Sequence, residues 1–192
     1  METESAPLRL AIIIGSVRPG RVGPIVADWF LRVAREHAAF EVFLVDLADL
    51  DLPLLDEPEH PVKQLYKHDH TKRWSAIVDD ADAFVFVTPE YDYFAPASLV
   101  NAVQYLSKEW AHKVGGIVSY GGISGGLRST QTMRLLISNM NMHALKDSVS
   151  IQFIKKHVEN GVLVPPDHAR ESAVAMLTEL HRWATALKPL RQ

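Results

Sequence analysis

The 192 residues are 47% hydrophobic and carry 20 Lys and Arg against 23 Asp and Glu, a net charge of -3. That balance leaves no basic footprint for nucleic acid or an anionic membrane, both of which need clustered cations. Cysteine is absent, which excludes disulfides, thiolate-bound metals, cysteine nucleophiles and iron–sulfur clusters.

The longest apolar runs are strand-sized, and the start METESAPLRL lacks the basic, apolar, small-residue order of a secretion signal. The expectation is a single soluble, cytoplasmic domain spanning residues 1–192, with no membrane or nucleic-acid partner.

The first predicted strand, Leu8 to Ile14, runs into GSVRPGRVG. From Gly15 to Val22 this loop comes within two letters of the phosphate-cradling G-x-x-x-x-G-K-[ST] pattern, with Arg21 in place of Lys and Val22 in place of Ser or Thr. Val22 offers no oxygen to a metal, so a magnesium nucleotide fits poorly. The dinucleotide fingerprint G-x-G-x-x-G is absent. Gly15 permits a sharp turn and Ser16 offers a hydroxyl. Arg18 and Arg21 are permanent cations, and a helix opening near Gly23 presents free N–H groups to an anion. A tight turn with two solvated arginines explains the same letters.

Val26, Trp29, Phe30, Val33, Ala34 and His37 then recur at helical spacing, followed by a second strand, Glu41 to Val45. Asp49 to Thr71 is long and irregular, with three prolines and the charged cluster KHDHTK, and loops of this length often act as lids or contact surfaces. His60, His68 and His70 beside Asp69 lack further ligands at motif spacing, so the stretch reads as solvated chain entering a helix rather than a metal site.

A helical stripe at Trp74, Ile77, Val78 and Ala81 leads to a third strand, Ala83 to Val87, and then to TPEYDYFAPASLVNAVQYL. Pro89 is expected to stop the ladder and Pro96 with Ser98 to open the next helix. Glu90, Tyr91, Asp92, Tyr93 and Phe94 are left on a loop at the carboxyl edge of the sheet. These rings suit an aromatic ligand, a partner subunit or plain core closure. Leu99, Val103 and Leu106 continue the helix.

A fourth strand, Lys113 to Ser119, ends in SYGGISGGLRS, whose four glycines allow a planar group to approach the backbone or simply make a flexible loop. A fifth strand, Ala144 to Ile151, precedes a helix with its stripe at Val174, Leu177, His181, Ala184 and Leu187. His37 and His181 read as satisfied core histidines. Ser16 and Ser119 lie outside G-x-S-x-G and are poor nucleophiles.

Alternating strands and helices imply a parallel sheet covered on both faces, with ligands outside the carboxyl ends of the strands. Three successive strand ends bear an anion-binding, an aromatic and a glycine-rich loop. Their conjunction describes a site for a phosphorylated planar aromatic molecule.

GSVRPGRVG, TPEYDYFAPASLVNA and SYGGISGG, spread over about residues 8 to 140, resemble the NADPH-dependent FMN reductases, which include quinone, azo and chromate reductases. The resemblance implies a flavodoxin-like three-layer sandwich, a five-stranded parallel sheet in order 2-1-3-4-5. It implies bound FMN, NADPH or NADH as hydride donor, and an acceptor such as a quinone, free flavin, azo compound or oxidised metal. Ser16, Arg18 and the backbone of Val22 and Gly23, with Arg21 close by, would hold the FMN phosphate. Pro89, Glu90, Tyr91 and Asp92 would run beside the ring, and Tyr120, Gly121 and Gly122 would meet it from the other loop. No residue is required as a catalytic acid or base.

Asp92 stands where the family usually has Asn, which would disfavour negative charge on the reduced ring if its side chain faced inward. Val100 stands where Lys is common. Members pair as homodimers or homotetramers with flavin near the boundary, where Tyr91, Tyr93, Phe94 and Trp110 would serve unless they are core. A flavin-binding redox sensor with little turnover is the alternative, motivated by the 49–71 loop. A net charge of -3 gives little support to a small electron-carrying flavodoxin. No residue pattern singles out a seat for the 2′-phosphate that distinguishes NADPH from NADH.

Overall fold

The computed structural model describes residues 6–191. Five strands, β1 (Arg9–Ile14), β2 (Glu41–Asp46), β3 (Ala83–Pro89), β4 (Val114–Tyr120) and β5 (His143–Ile151), form one parallel sheet in the order β2-β1-β3-β4-β5. The fold is flavodoxin-like. Every residue of β3 and β4 is buried, as continuous apolar runs covered on both faces require.

Side chains alternate between two cores. Leu10, Ile12 and Ile14 pack with α1 (Gly23–His37) and the long C-terminal helix (Asp167–Leu187). Ala11 and Ile13 face the helices α3 (Asp69–Asp80), α4 (Ala97–Gln104) and α5 (Leu127–Asn139) on the other side. Gly115 and Gly116 let their neighbours lie close to the sheet, since a Cβ there would lie 2.8 Å from the sulfur of Met142, in the turn after α5, and of Met176, in the C-terminal helix, respectively. Chain order reverses between β1 and β3, so the loops after these strands flank the crevice where such sheets bind ligands.

Five strands stand where the sequence predicts them, with small shifts at their ends. The ladder stops at Pro89, as expected, with Pro89 as its last paired residue, opposite Tyr120 of β4. β5 bulges, because Gly115 pairs with Ala144 while Ile117 pairs with Ser148. The 49–71 stretch is fixed rather than loose. It begins inside α2 (Leu47–Leu50) and ends inside α3, and its Pro53 carbonyl accepts from the Asn101 amide at 2.7 Å and the Tyr105 hydroxyl at 3.1 Å.

The C-terminal helix, α6, is rotated from its expected stripe: Met176 and Leu180 are fully buried and His181 is exposed. His181 is therefore not core, but meets Phe40 edge-on at 5.5 Å between ring centres. His37 is half-buried, with its Nε2 3.1 Å from the Thr178 hydroxyl. A small hairpin, β6 (Val158–Glu159) and β7 (Val162–Leu163), turns on Asn160 and Gly161 at positive φ and buries Leu163 against the α1 side of the core.

Candidate functional site

Residues 15–22 form a loop held from below. The Gly15 N–H donates to the Val87 carbonyl at 2.9 Å. A Cβ at Gly15 would come within 2.8 Å of Leu99, so only glycine lets α4 approach. The Ser98 hydroxyl does not cap α4, which begins after Pro96; it donates to the Gly15 carbonyl at 2.6 Å.

Arg21 and Arg18 part company here. Arg21 grips Asp46 at the end of β2 with two nitrogens, at 2.5 and 2.6 Å, and donates to the Ser16 carbonyl at 2.7 Å. Asp46 also accepts from the Ala48 N–H at the start of α2. Arg21 is therefore a brace that shapes the loop. Its hydrogen bond to the carboxylate raises the guanidinium pKa further. Arg18 is exposed and makes no ion pair among the described residues.

Of residues 16–23, the Arg21 N–H alone has a partner among the described residues, the Arg18 carbonyl at 3.1 Å. The N–H groups of Ser16, Val17, Arg18, Gly20, Val22 and Gly23 find none among the described residues. The first turn of α1 contains no acidic residue and has Pro near its start, where a missing N–H costs nothing. Such a cluster of unpaired donors at a helix N-terminus is an anion seat.

Ser16 is fully buried, its hydroxyl 2.7 Å from that of Tyr91. Tyr91 and Phe94 exchange backbone hydrogen bonds at 2.9 Å, closing a tight turn with Asp92 (φ 46°) and Tyr93 (φ 77°) in the left-handed region. Two non-glycine residues there make a strained turn. Asp92 is exposed at the tip of this turn. The Arg128 guanidinium covers the Tyr93 ring at 3.8 Å.

The Glu90 side chain points back into the protein. Its carboxylate accepts from the Ser124 hydroxyl at 3.1 Å and the Arg128 N–H at 3.0 Å, and pairs with the Arg128 guanidinium. Burial pushes this carboxyl up, but these donors and the Arg128 charge outweigh it and hold its pKa below the usual range. Glu90 thus ties the aromatic loop to the glycine loop.

The four glycines divide by role. Gly126 has φ +83°, and a Cβ there would lie 2.9 Å from the Tyr120 nitrogen. Gly125 has φ +61° and is as tightly packed against Ser150. Both serve packing. Gly122 faces open space, and Gly121 is half-buried beside it. Tyr120 is buried on the α1 side, its hydroxyl near Gly23, and burial raises its pKa. Its hydroxyl therefore reaches under the anion seat from the strand end that leads into Gly121 and Gly122.

Of the aromatic residues proposed for a boundary, Tyr93 and Phe94 are exposed and Tyr91 is half-buried. Trp110 is fully buried core, edge-on to Phe84 at 4.9 Å. His68 and His70 stack at 5.1 Å, with His70 Nε2 3.0 Å from Asp56. A cavity of about 600 Å³ at the opposite edge of the sheet, lined by Asp79, Asp82 and Lys113, lies away from all three loops.

Residues 8–156 match the family described as NADPH-dependent FMN reductase. The chain belongs to this family. It is 35% identical over 159 residues to an NAD(P)H-dependent FMN reductase of Schizosaccharomyces pombe, covering 82% of this chain and 79% of that one. It is 32% identical over 206 residues to a probable NADPH:quinone oxidoreductase of Oryza sativa, covering 98% and 95%. Among solved structures, the flavoenzyme NAD(P)H:(acceptor) oxidoreductase FerB of Paracoccus denitrificans superposes with a TM-score of 0.70 at 15% identity, covering 93% and 98%.

As an FMN reductase the chain is a flavin- and NAD(P)H-dependent enzyme, and its residues fit that cofactor. The unpaired N–H cluster and Arg18 match a terminal phosphate, and the open backbone at Gly122 leaves room for a flat ring. Sequence reasoning passed over Asp46 and Arg128 and gave Ser98 only a capping role, because the partners of all three lie far along the chain.

Proposed function

We propose that the chain reduces quinones, with FMN seated by its phosphate in the loop after β1 and its ring between Pro89–Asp92 and Gly121–Gly122. The observation that carries the flavin placement is the cluster of six N–H groups without a partner among the described residues, above a sheet whose order reverses at that point. Bound there, FMN would supply the hydride and electron transfer between nicotinamide and acceptor. The chain's own residues position and shield. Arg18 and the Val22 and Gly23 N–H groups meet the phosphate, and Ser16 with Tyr91 holds the phosphate loop to the ring loop. Arg21 acts from behind through Asp46, and Tyr120 packs underneath. The likeness to an Oryza sativa protein named for quinone reduction supports a quinone as acceptor.

The test is steady-state kinetics of FMN-loaded protein with NADPH and NADH against quinones, free flavin, an azo dye and an oxidised metal. Quinones should show the highest kcat/KM. Protein that takes up no FMN, or that oxidises neither nicotinamide with any quinone, overturns the reading.

The enzyme is further proposed to work as a homodimer or homotetramer in the cytoplasm. Exposed Tyr93, Phe94, Ile123 and Leu127 surround the mouth of the site, an apolar rim suited to a second copy. Among the described residues no helix is long and apolar enough to cross a membrane. Sedimentation as a monomer at micromolar concentration would count against the assembly.

A further inference from the structure

A second cavity, about 270 Å³, opens beside the glycine loop, lined by Gly121, Gly122, Phe153, Ile154, Lys155 and Lys156. It shares Gly121 and Gly122 with the proposed ring site, and the Phe153 N–H, which donates to the Gly122 carbonyl at 2.9 Å, and the Ile154 N–H, which donates to the Gly121 carbonyl at 3.0 Å, tie its far wall to the glycine loop.

Phe153 is held against two ordinary preferences. Its φ of 48° is left-handed, which a bulky aromatic residue rarely adopts, and the residue is 44% exposed. The Lys156 ammonium lies 5.1 Å from that ring's centre. Phe153 opens a short 3-10 turn, Ile154–His157, whose last three residues are Lys155, Lys156 and His157. Neither lysine makes an ion pair among the described residues, so an aromatic face and two unneutralised cations border one apolar hollow.

We propose that this hollow takes the adenosine end of the nicotinamide cofactor, with the adenine against Phe153 and the 2′-phosphate between Lys155 and Lys156, so that the chain prefers NADPH to NADH. A purine needs a flat apolar face, and a phosphate monoester dianion needs point charges free of competing carboxylates. Arg18 is set apart for the FMN phosphate at the other end of the site and Arg128 is paired with Glu90, which leaves Lys155 and Lys156 as cations without an ion pair, among the described residues, next to the glycine loop. The assignment rests on the ring lying at Gly121–Gly122.

The test is calorimetric titration of the FMN-loaded protein with 2′,5′-ADP and with 5′-AMP, neither of which transfers hydride. The 2′-phosphate should tighten binding by about tenfold or more, the size of one charge-assisted contact, and this gain should shrink as salt rises. Lys155→Ala/Lys156→Ala should erase the difference while leaving 5′-AMP affinity in place, and Lys155→Arg/Lys156→Arg should retain it. Phe153→Ala should weaken both nucleotides together. Equal affinity for the two in the parent protein, or an undiminished preference in the double alanine variant, overturns the proposal. FMN uptake is measured in parallel: protein that binds no FMN but still discriminates the two nucleotides would sink the ring placement and leave the phosphate seat standing.

Discussion

The hydroxyls of Ser16 and Tyr91 meet at 2.7 Å across 75 residues of sequence, joining the anion-binding loop after β1 to the aromatic loop after β3. Ser16 is fully buried, so Tyr91 is its hydroxyl's partner rather than water. Tyr91→Phe removes that partner and leaves a buried hydroxyl unpaired, a loss of about 1–2 kcal/mol in stability. FMN affinity should fall several-fold as well, because the two loops lose their register. Urea unfolding and quenching of flavin fluorescence read the two effects. An affinity change without a stability change would mean that the tyrosine acts on the ring directly.

Arg18 and Arg21, three residues apart, should behave oppositely. Arg18→Ala should weaken FMN roughly 10- to 100-fold, the worth of a hydrogen bond to a charged group, with the unfolding midpoint unchanged. Arg21→Ala strands Asp46 and the Ser16 carbonyl, and should lower stability by about 1–3 kcal/mol. Equal loss of FMN affinity with no loss of stability in both would place both on the phosphate.

That division was not legible in the sequence. Both arginines sit in one glycine-rich turn, and what separates them is Asp46, at the end of a neighbouring strand 25 residues on. The strands themselves were legible because burial on both faces leaves continuous apolar runs. Trp110 was ambiguous because an aromatic residue in an irregular segment looks the same whether it closes a core or an interface. The stripe of α6 was misplaced because Val174 and His181 share helical spacing with Leu177 and Ala184, while the side chains buried over Gly116 are Met176 and Leu180. Asn160-Gly161 was a readable hairpin signal that went unused. Lys155 and Lys156 carry no motif at all, and only the turn of Phe153 brings them to the glycine loop.

The glycines separate into structural and open positions, which two substitutions distinguish. Gly126→Ala forces a Cβ to within 3.0 Å of the Tyr120 backbone at a φ of +83° and should lower the unfolding midpoint sharply. Gly122→Ala meets nothing within 4 Å and should leave stability intact. Its effect should fall on FMN binding, where the added methyl occupies space reserved for the ring. Unaltered FMN affinity in Gly122→Ala would remove that residue from the site.

Lys113 gives the fold a pH signature independent of the flavin. Its ammonium is 5% exposed as a residue, donates to the carbonyls of Val78 and Asp79 at 2.7 and 3.1 Å, and lies 5.7 Å from the Phe84 ring centre. Burial lowers its pKa to about 8; Asp79, Asp82 and Glu109 offset this, and Arg191 adds to it. The unfolded chain holds this proton up to about pH 10.4. Between those values the unfolded state binds more protons than the folded one, so the linkage makes stability rise with pH. The cost of burying the charge is therefore complete below about pH 8 and is relieved as the pH climbs towards 10.4. Other groups titrate in that range too, so the measurement is a difference: the urea midpoint of the parent protein minus that of Lys113→Met, at pH 7 and pH 10. The difference should shift in the parent's favour by about 2–3 kcal/mol at the higher pH. A shift of the opposite sign would mean that the carboxylates beside Lys113 hold its charge more strongly than burial opposes it.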